Sequence, residues 1–95
     1  MERVKELTSF YSAIKDDHRI SSTHISVYMA LFQLYNLNGF KNPVSINRRQ
    51  VMEVAKISGV ATFHKCIKDL QDLGYIRYLP SYNPVIKSQV YLASI

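Results

Sequence analysis

Between Asn47 and Ile76 the chain reads NRRQVMEVAKISGVATFHKCIKDLQDLGYI, and no other stretch limits the fold as much. The spacing predicts a short helix capped by Asn47, a tight turn at Ile57-Ser58-Gly59 and a second helix from about Val60 to Leu73. Gly74 stops that helix and a strand begins. The shorter helix should turn Val51, Met52, Val54 and Ala55 inward, and Gly59 should permit the sharp angle between the pair. In the longer helix Val60, Phe63, Ile67 and Leu70 recur at helical spacing, with Cys66 on the same apolar side. Ala61, Lys65 and Lys68 fall opposite, flanked by Thr62 and His64. One face is made to be buried; the other is small, polar and cationic.

Charge is placed where this helix pair is. Residues 1–40 balance four basic against four acidic side chains, so they contribute nothing to the net +5. Residues 41–95 carry Lys41, Arg48, Arg49, Lys56, Lys65, Lys68, Arg77 and Lys87 against Glu53, Asp69 and Asp72, eight cations against three acids. A surface of that sign attracts polyanions by neutralising phosphates and releasing counterions. Solubility alone would account for +5; its coincidence with the helix pair favours a nucleic-acid partner.

The 95 residues suffice for one domain and one core, residues 1–95. A chain of this size buries roughly 60–65% of its unfolded surface, enough to fold alone. With 47% hydrophobic and 20% charged residues the chain belongs with globular proteins, not disordered ones. A single cysteine excludes an internal disulfide and favours a reducing compartment. No stretch is apolar for long enough to span a bilayer, and the acids among the first residues break up any signal-peptide core. A soluble, cytoplasmic protein is the expectation.

Ahead of the helix pair, Val4, Leu7, Tyr11 and Ile14 mark one face of a first helix, with Phe10 adjacent. Ser21-Ser22 offers an N-cap to a second, from about Thr23 to Asn36, which is apolar nearly all round and belongs mid-domain. Asn38-Gly39 ends it, and Val44-Ser45-Ile46 alternates like a very short strand. After the helix pair, Tyr75–Leu79 and Ser88–Ala93 read as strands joined by the turn-forming Pro80-Ser81-Tyr82-Asn83-Pro84. The fold class is therefore α+β, mainly α, in the order α-α-β-α-α-β-β. That is the order of a winged helix-turn-helix with a three-helix core, an extra N-terminal helix and a C-terminal β-hairpin wing. Residues 47–73 would form the helix-turn-helix and 75–93 the wing.

From Asn47 onward the chain resembles winged helix-turn-helix DNA-binding domains. The tail Ile67-Lys68-Asp69-Leu70-Gln71-Asp72-Leu73-Gly74-Tyr75-Ile76 matches their frequent L-x-x-L-x-x-x-G-x-I ending, and Thr62-Phe63-His64 their usual recognition-helix opening. A closer likeness runs through Ser22-Thr23-His24-Ile25-Ser26, Asn42-Pro43-Val44-Ser45-Ile46, Ala61-Thr62-Phe63-His64-Lys65-Cys66 and Ser81-Tyr82-Asn83-Pro84. These segments resemble short helix-turn-helix regulators of Bacteroidetes-type mobile elements. The N-terminal domains of phage and plasmid replication proteins are also similar.

The resemblance implies double-stranded DNA as partner, with the longer helix of the pair in the major groove. Ala61 and Thr62 would touch a thymine methyl or a phosphate, and His64, Lys65 and Lys68 base edges or backbone. The plainer reading of the same face is a solvated one, with Lys65–Asp69 and Lys68–Asp72 pairs four residues apart. Arg48 and Arg49 sit at a helix N-terminus, where backbone N–H groups also favour phosphate. Arg77, Tyr82, Asn83 and Lys87 lie in or beside the wing; Tyr82 serves equally well as packing for its loop.

Catalysis finds little support. Cys66 is on an apolar face, His64 points elsewhere, and His18 and His24 lack the cysteine partners a zinc site would need. No glycine-rich phosphate loop is present. No cofactor, metal or small-molecule ligand is indicated. Two functions remain: a small bacterial transcriptional regulator that binds DNA sequence-specifically, or a winged-helix protein–protein adaptor or replication-initiation module of a mobile element. The first helix would pack on its own core or form the seam of a homodimer.

Overall fold

A helix that is apolar on every side can only be stable at the centre of a domain, and α2 (Ser22–Leu37) is that helix. The structure, a computed structural model, describes residues 2–81 and 87–92, with the backbone alone described for residues 2–4. Around α2 are α1 (Glu2–Ile14), α3 (Arg48–Ala55), α4 (Val60–Asp72) and the strands β1 (Val44–Ile46), β2 (Ile76–Leu79) and β3 (Ser88–Leu92). The strands form one antiparallel sheet in the order β1-β3-β2. The class is α+β, mainly helical, and no helix among the described residues is long and apolar enough to cross a membrane.

α2 begins where its sequence supplies a cap. Ser21 is extended, and its backbone N–H donates to His24 Nδ1 at 3.0 Å while its hydroxyl faces the same residue, a capping box with histidine in the third position. Val27, Tyr28, Leu31, Leu34 and Tyr35 are buried along its length, and it touches α3, α4, β1 and β3. Ser26 Oγ donates to the Ala55 carbonyl, fastening α2 to the end of α3.

Two expectations about buried faces change. On α1 the core residue is Phe10, fully buried, and not Tyr11, which is 46% exposed. The Phe10 ring stacks on Tyr28 at 3.7 Å between centroids and meets Tyr75 edge-on at 5.7 Å, a slot between two rings that has no place for a hydroxyl. With Leu7 and Ile14 it packs α1 on the chain's own core; the Val4 side chain is outside the described residues. On α3 the stripe is Val51 and Ala55 with Met52 half-buried, and Val54 is 44% exposed. An eight-residue helix against one neighbour has room for only a narrow seam.

The turn between α3 and α4 also differs from expectation. Its left-handed residue is Lys56, at φ 62°, whereas Gly59 has φ −89° and serves as the N-cap of α4. The glycine matters for space: a Cβ there would lie 3.2 Å from Thr62 Oγ1. Gly74, at φ +86°, ends α4 as its position suggested. Val60, expected in the core, is 41% exposed; Phe63, Cys66, Ile67 and Leu70 form the buried face. Burial pushes the Cys66 thiol above its ordinary range, which suits a small core residue.

Polar side chains close the joints the helices leave. Asn42 donates to the Leu92 carbonyl and accepts from its N–H, at 3.2 and 3.1 Å, continuing the β1–β3 pairing by one side chain. Arg19 grips the Asp17 carboxylate with two N–H groups at 2.8 and 3.0 Å, and the buried Tyr75 hydroxyl donates to it at 2.9 Å. Arg19, then Tyr75, hold the Asp17 carboxyl far below the usual carboxylate range. A depressed carboxylate stabilises the fold above its ordinary titration range, and that stability is lost as pH falls through and below that range. Asp17→Asn should therefore lower the thermal midpoint at pH 7 and narrow its gap to wild type on acidification. Melting curves between pH 7 and pH 2 test this; a gap that widened in acid would refute it.

Candidate nucleic-acid interface

The side-chain hydrogen bonds that fasten α4 to its neighbours come from its C-terminal half, while its N-terminal half is anchored by the buried Phe63. With about 100° between successive residues, Gln71 points to one flank and Asp69 to the other. Gln71 Oε1 accepts the Tyr78 backbone N–H at 2.7 Å, tying α4 to β2. Asp69 Oδ2 meets His24 Nε2 at 2.8 Å, tying α4 to the start of α2. Because Nδ1 of His24 accepts the Ser21 N–H, Nε2 is the nitrogen that carries the hydrogen and donates. The N-cap of α4 is Gly59, which has no side chain to offer that N-terminus.

Ala61, Thr62, His64, Lys65 and Lys68 are all exposed, on the side away from the buried stripe. Lys65 Nζ donates to Asp69 Oδ2 at 3.0 Å and Lys68 Nζ to Asp72 Oδ2 at 2.7 Å, so the pairs expected of a solvated face are formed. Both lysine side chains remain about three-quarters exposed, at 74% and 75%, so the pairs tether without covering them. Asp69 serves His24 and Lys65 together, and their hydrogen bonds, His24 first, hold its carboxyl below the ordinary value.

Asp69 is a residue whose part the sequence did not reveal. His24 is 5% exposed, so removing its acceptor strands a buried N–H. Asp69→Ala should lower the thermal midpoint by at least about 4 °C. Asp72→Ala, which frees only an exposed lysine, should shift it much less. Equal small shifts would show that the His24 contact holds nothing.

Between the N-terminal half of α4, the start of α3 and the base of the β2–β3 hairpin is a cleft of about 400 Å³. Arg48, His64, Tyr78, Pro80, Ser81 and Ser88 line it, over a floor of Ile46 and Phe63. None of the described residues that line it is a carboxylate. A second, shallower cleft of about 290 Å³ runs along α3 and the turn, with Arg48, Arg49 and Val60 among its residues and Glu53 as its acid. Arg48 is thus shared by both, and the structure brings Arg48, Arg49 and His64 onto neighbouring walls. Asn47 caps α3 by accepting the Gln50 N–H at 2.7 Å, which places both arginines in the first turn.

Arg77 does not join this group. Side chains alternate along a strand, and Ile76 and Tyr78 point inward. Arg77 is therefore on the outer sheet face, its guanidinium 5.5 Å from the centroid of Tyr91, its cross-strand partner. Lys87 is exposed beside the start of β3. Tyr82 and Asn83 fall outside the described residues. Tyr78, Ser81 and Ser88, which line the larger cleft, carry no signal of such a role in the sequence; only the hairpin register brings them to one wall. Among the described residues no group of three or more His, Cys, Asp or Glu side chains is placed to hold a metal ion. Comparison with protein-family models, with curated proteins and with solved structures finds no match.

Proposed function

We propose that this chain is a winged helix-turn-helix domain that binds double-stranded DNA sequence-specifically, as a small bacterial transcriptional regulator. The observation that carries the reading is the exposed face of the N-terminal half of α4. Five exposed small, polar or cationic side chains, Ala61 to Lys68, share one face, with Arg48 and Arg49 on an adjoining surface. The helix order and the β1-β3-β2 sheet support the fold named.

In this reading α4 enters the major groove by its N-terminal turns. Ala61 and Thr62 meet base edges, Lys65, Lys68 and the arginines of α3 take phosphates on either side, and His64 faces the backbone at the edge of the groove. Lys87, exposed beside the start of β3, approaches the flanking backbone. Asp69 and Asp72 are at the end of α4 that leaves the groove, where their partners already satisfy them. Selecting bound fragments from a random duplex pool tests the proposal. Enrichment of one short motif is the expected result; a pool that emerges unchanged after repeated rounds in low salt would defeat sequence-specific binding.

A further inference from the structure

The larger cleft contains chemistry that the α4 face alone does not explain. Ser88 Oγ accepts the Ser81 N–H at 3.1 Å and lies 3.4 Å from the Tyr78 hydroxyl. Two hydroxyl groups share that one contact, so whichever donates, the other's hydrogen is left over. Neither hydroxyl has another partner among the described residues. The spare donor faces a cleft whose charged lining is Arg48, with the His64 imidazole as a further N–H donor. No described acid pairs with Arg48. Three donors of different kinds converge on a space where no described residue supplies an acceptor of matching charge.

We infer that this cleft is a phosphate site, built by Arg48, His64 and the Tyr78–Ser88 hydroxyl pair, and that it takes one phosphodiester of the DNA backbone. The inference rests on the DNA-binding reading and sharpens it. A guanidinium fork matches two phosphate oxygens, and a hydroxyl donor supplies a third bond in a different direction. The volume, about 400 Å³, leaves room for the attached sugar against Tyr78 and Pro80. Seated there, the backbone is gripped between α4 and the hairpin, which fixes how deeply the helix can enter the groove. A free phosphate ester has the same chemistry and is the other source the site could draw on.

The test follows the Ser88 amide and the His64 ring by NMR during titration with a short random duplex and, separately, with inorganic phosphate. Duplex should move both signals at low salt, with inorganic phosphate doing so only at far higher concentration. Arg48→Gln should weaken duplex binding about tenfold and reduce the salt slope by about 0.9. Ser88→Ala should weaken it about three- to tenfold without changing the slope. A saturable response to inorganic phosphate at low concentration, with none to duplex, would keep the site, assign it to a free phosphate and remove the DNA reading. Salt-dependent duplex binding with both signals unmoved, and with Arg48→Gln and Ser88→Ala binding like wild type, would overturn the site and leave the DNA reading standing. Silence in both titrations would remove both.

Discussion

Phe63→Ala is expected to destabilise the protein by about 3–5 kcal/mol, the cost of emptying a buried aromatic position. Phe63 is 1% exposed and forms part of the floor on which the larger cleft rests. For a domain of this size the midpoint should fall by roughly 15–30 °C. The neighbouring His64→Ala should change stability by less than about 0.5 kcal/mol, because its ring is exposed and touches Phe63 only edge-on at 5.3 Å. Adjacent residues with effects so far apart would fix the orientation of α4 in solution. Thermal or urea unfolding of the two variants measures the contrast. Comparable destabilisation at both positions would mean that α4 is rotated from the orientation described.

The exposed side of the same helix carries the second large effect. Replacing Lys65 and Lys68 together by alanine should weaken duplex binding about ten- to a hundredfold at low salt. The salt slope should shrink by close to 2, about 0.9 for each phosphate no longer neutralised. Their existing pairs with Asp69 and Asp72 are not an obstacle, since exposed pairs of this kind are weak and dissolve easily. Those acids do supply an internal control. Asp72→Asn removes a negative charge beside Lys68 and should strengthen binding, the opposite sign from the lysine variant. Unchanged binding by the double lysine variant would take α4 out of the interface altogether.

How much of this could be read from the chain alone depends on how local the cause is. The helix pair is legible because a 3.6-residue period, an Asn cap and a Gly stop are all written within about thirty residues of one another. The buried stripe of α4 follows from the same period, apart from Val60, which belongs to the first turn and faces the open cleft along α3. Tyr11 and Phe10 are adjacent aromatic residues, and the helical period alone does not decide which of them faces the core. Only the slot between Tyr28 and Tyr75, made by distant residues, decides between them. Lys56, and not a residue of the expected Ile57-Ser58-Gly59 turn, takes the left-handed conformation because α3 ends at Ala55.

The site divides in the same way. Its exposed set on α4 and α3 can be read from charge and spacing. The hydrogen bond that orients α4 cannot: His24 and Asp69 are 45 residues apart. Arg77 reads as a member because it is basic and near the hairpin, yet strand alternation turns it to the far face. Ser88 and Tyr78 carry no signal of their own, since an unused hydroxyl hydrogen is a property of packing.

The exposed basic surface around α4 is expected to meet phosphates. Fluorescence anisotropy of the wild-type protein with a labelled random duplex, repeated from about 50 to 200 mM salt, tests it most directly. With Arg48, Arg49, Lys65, Lys68 and Lys87 at hand, neutralisation of about three to five phosphates is the natural expectation, so log K should fall against log salt with a slope of about −3 to −5. Binding without salt dependence, or no binding at the lowest salt, would contradict it.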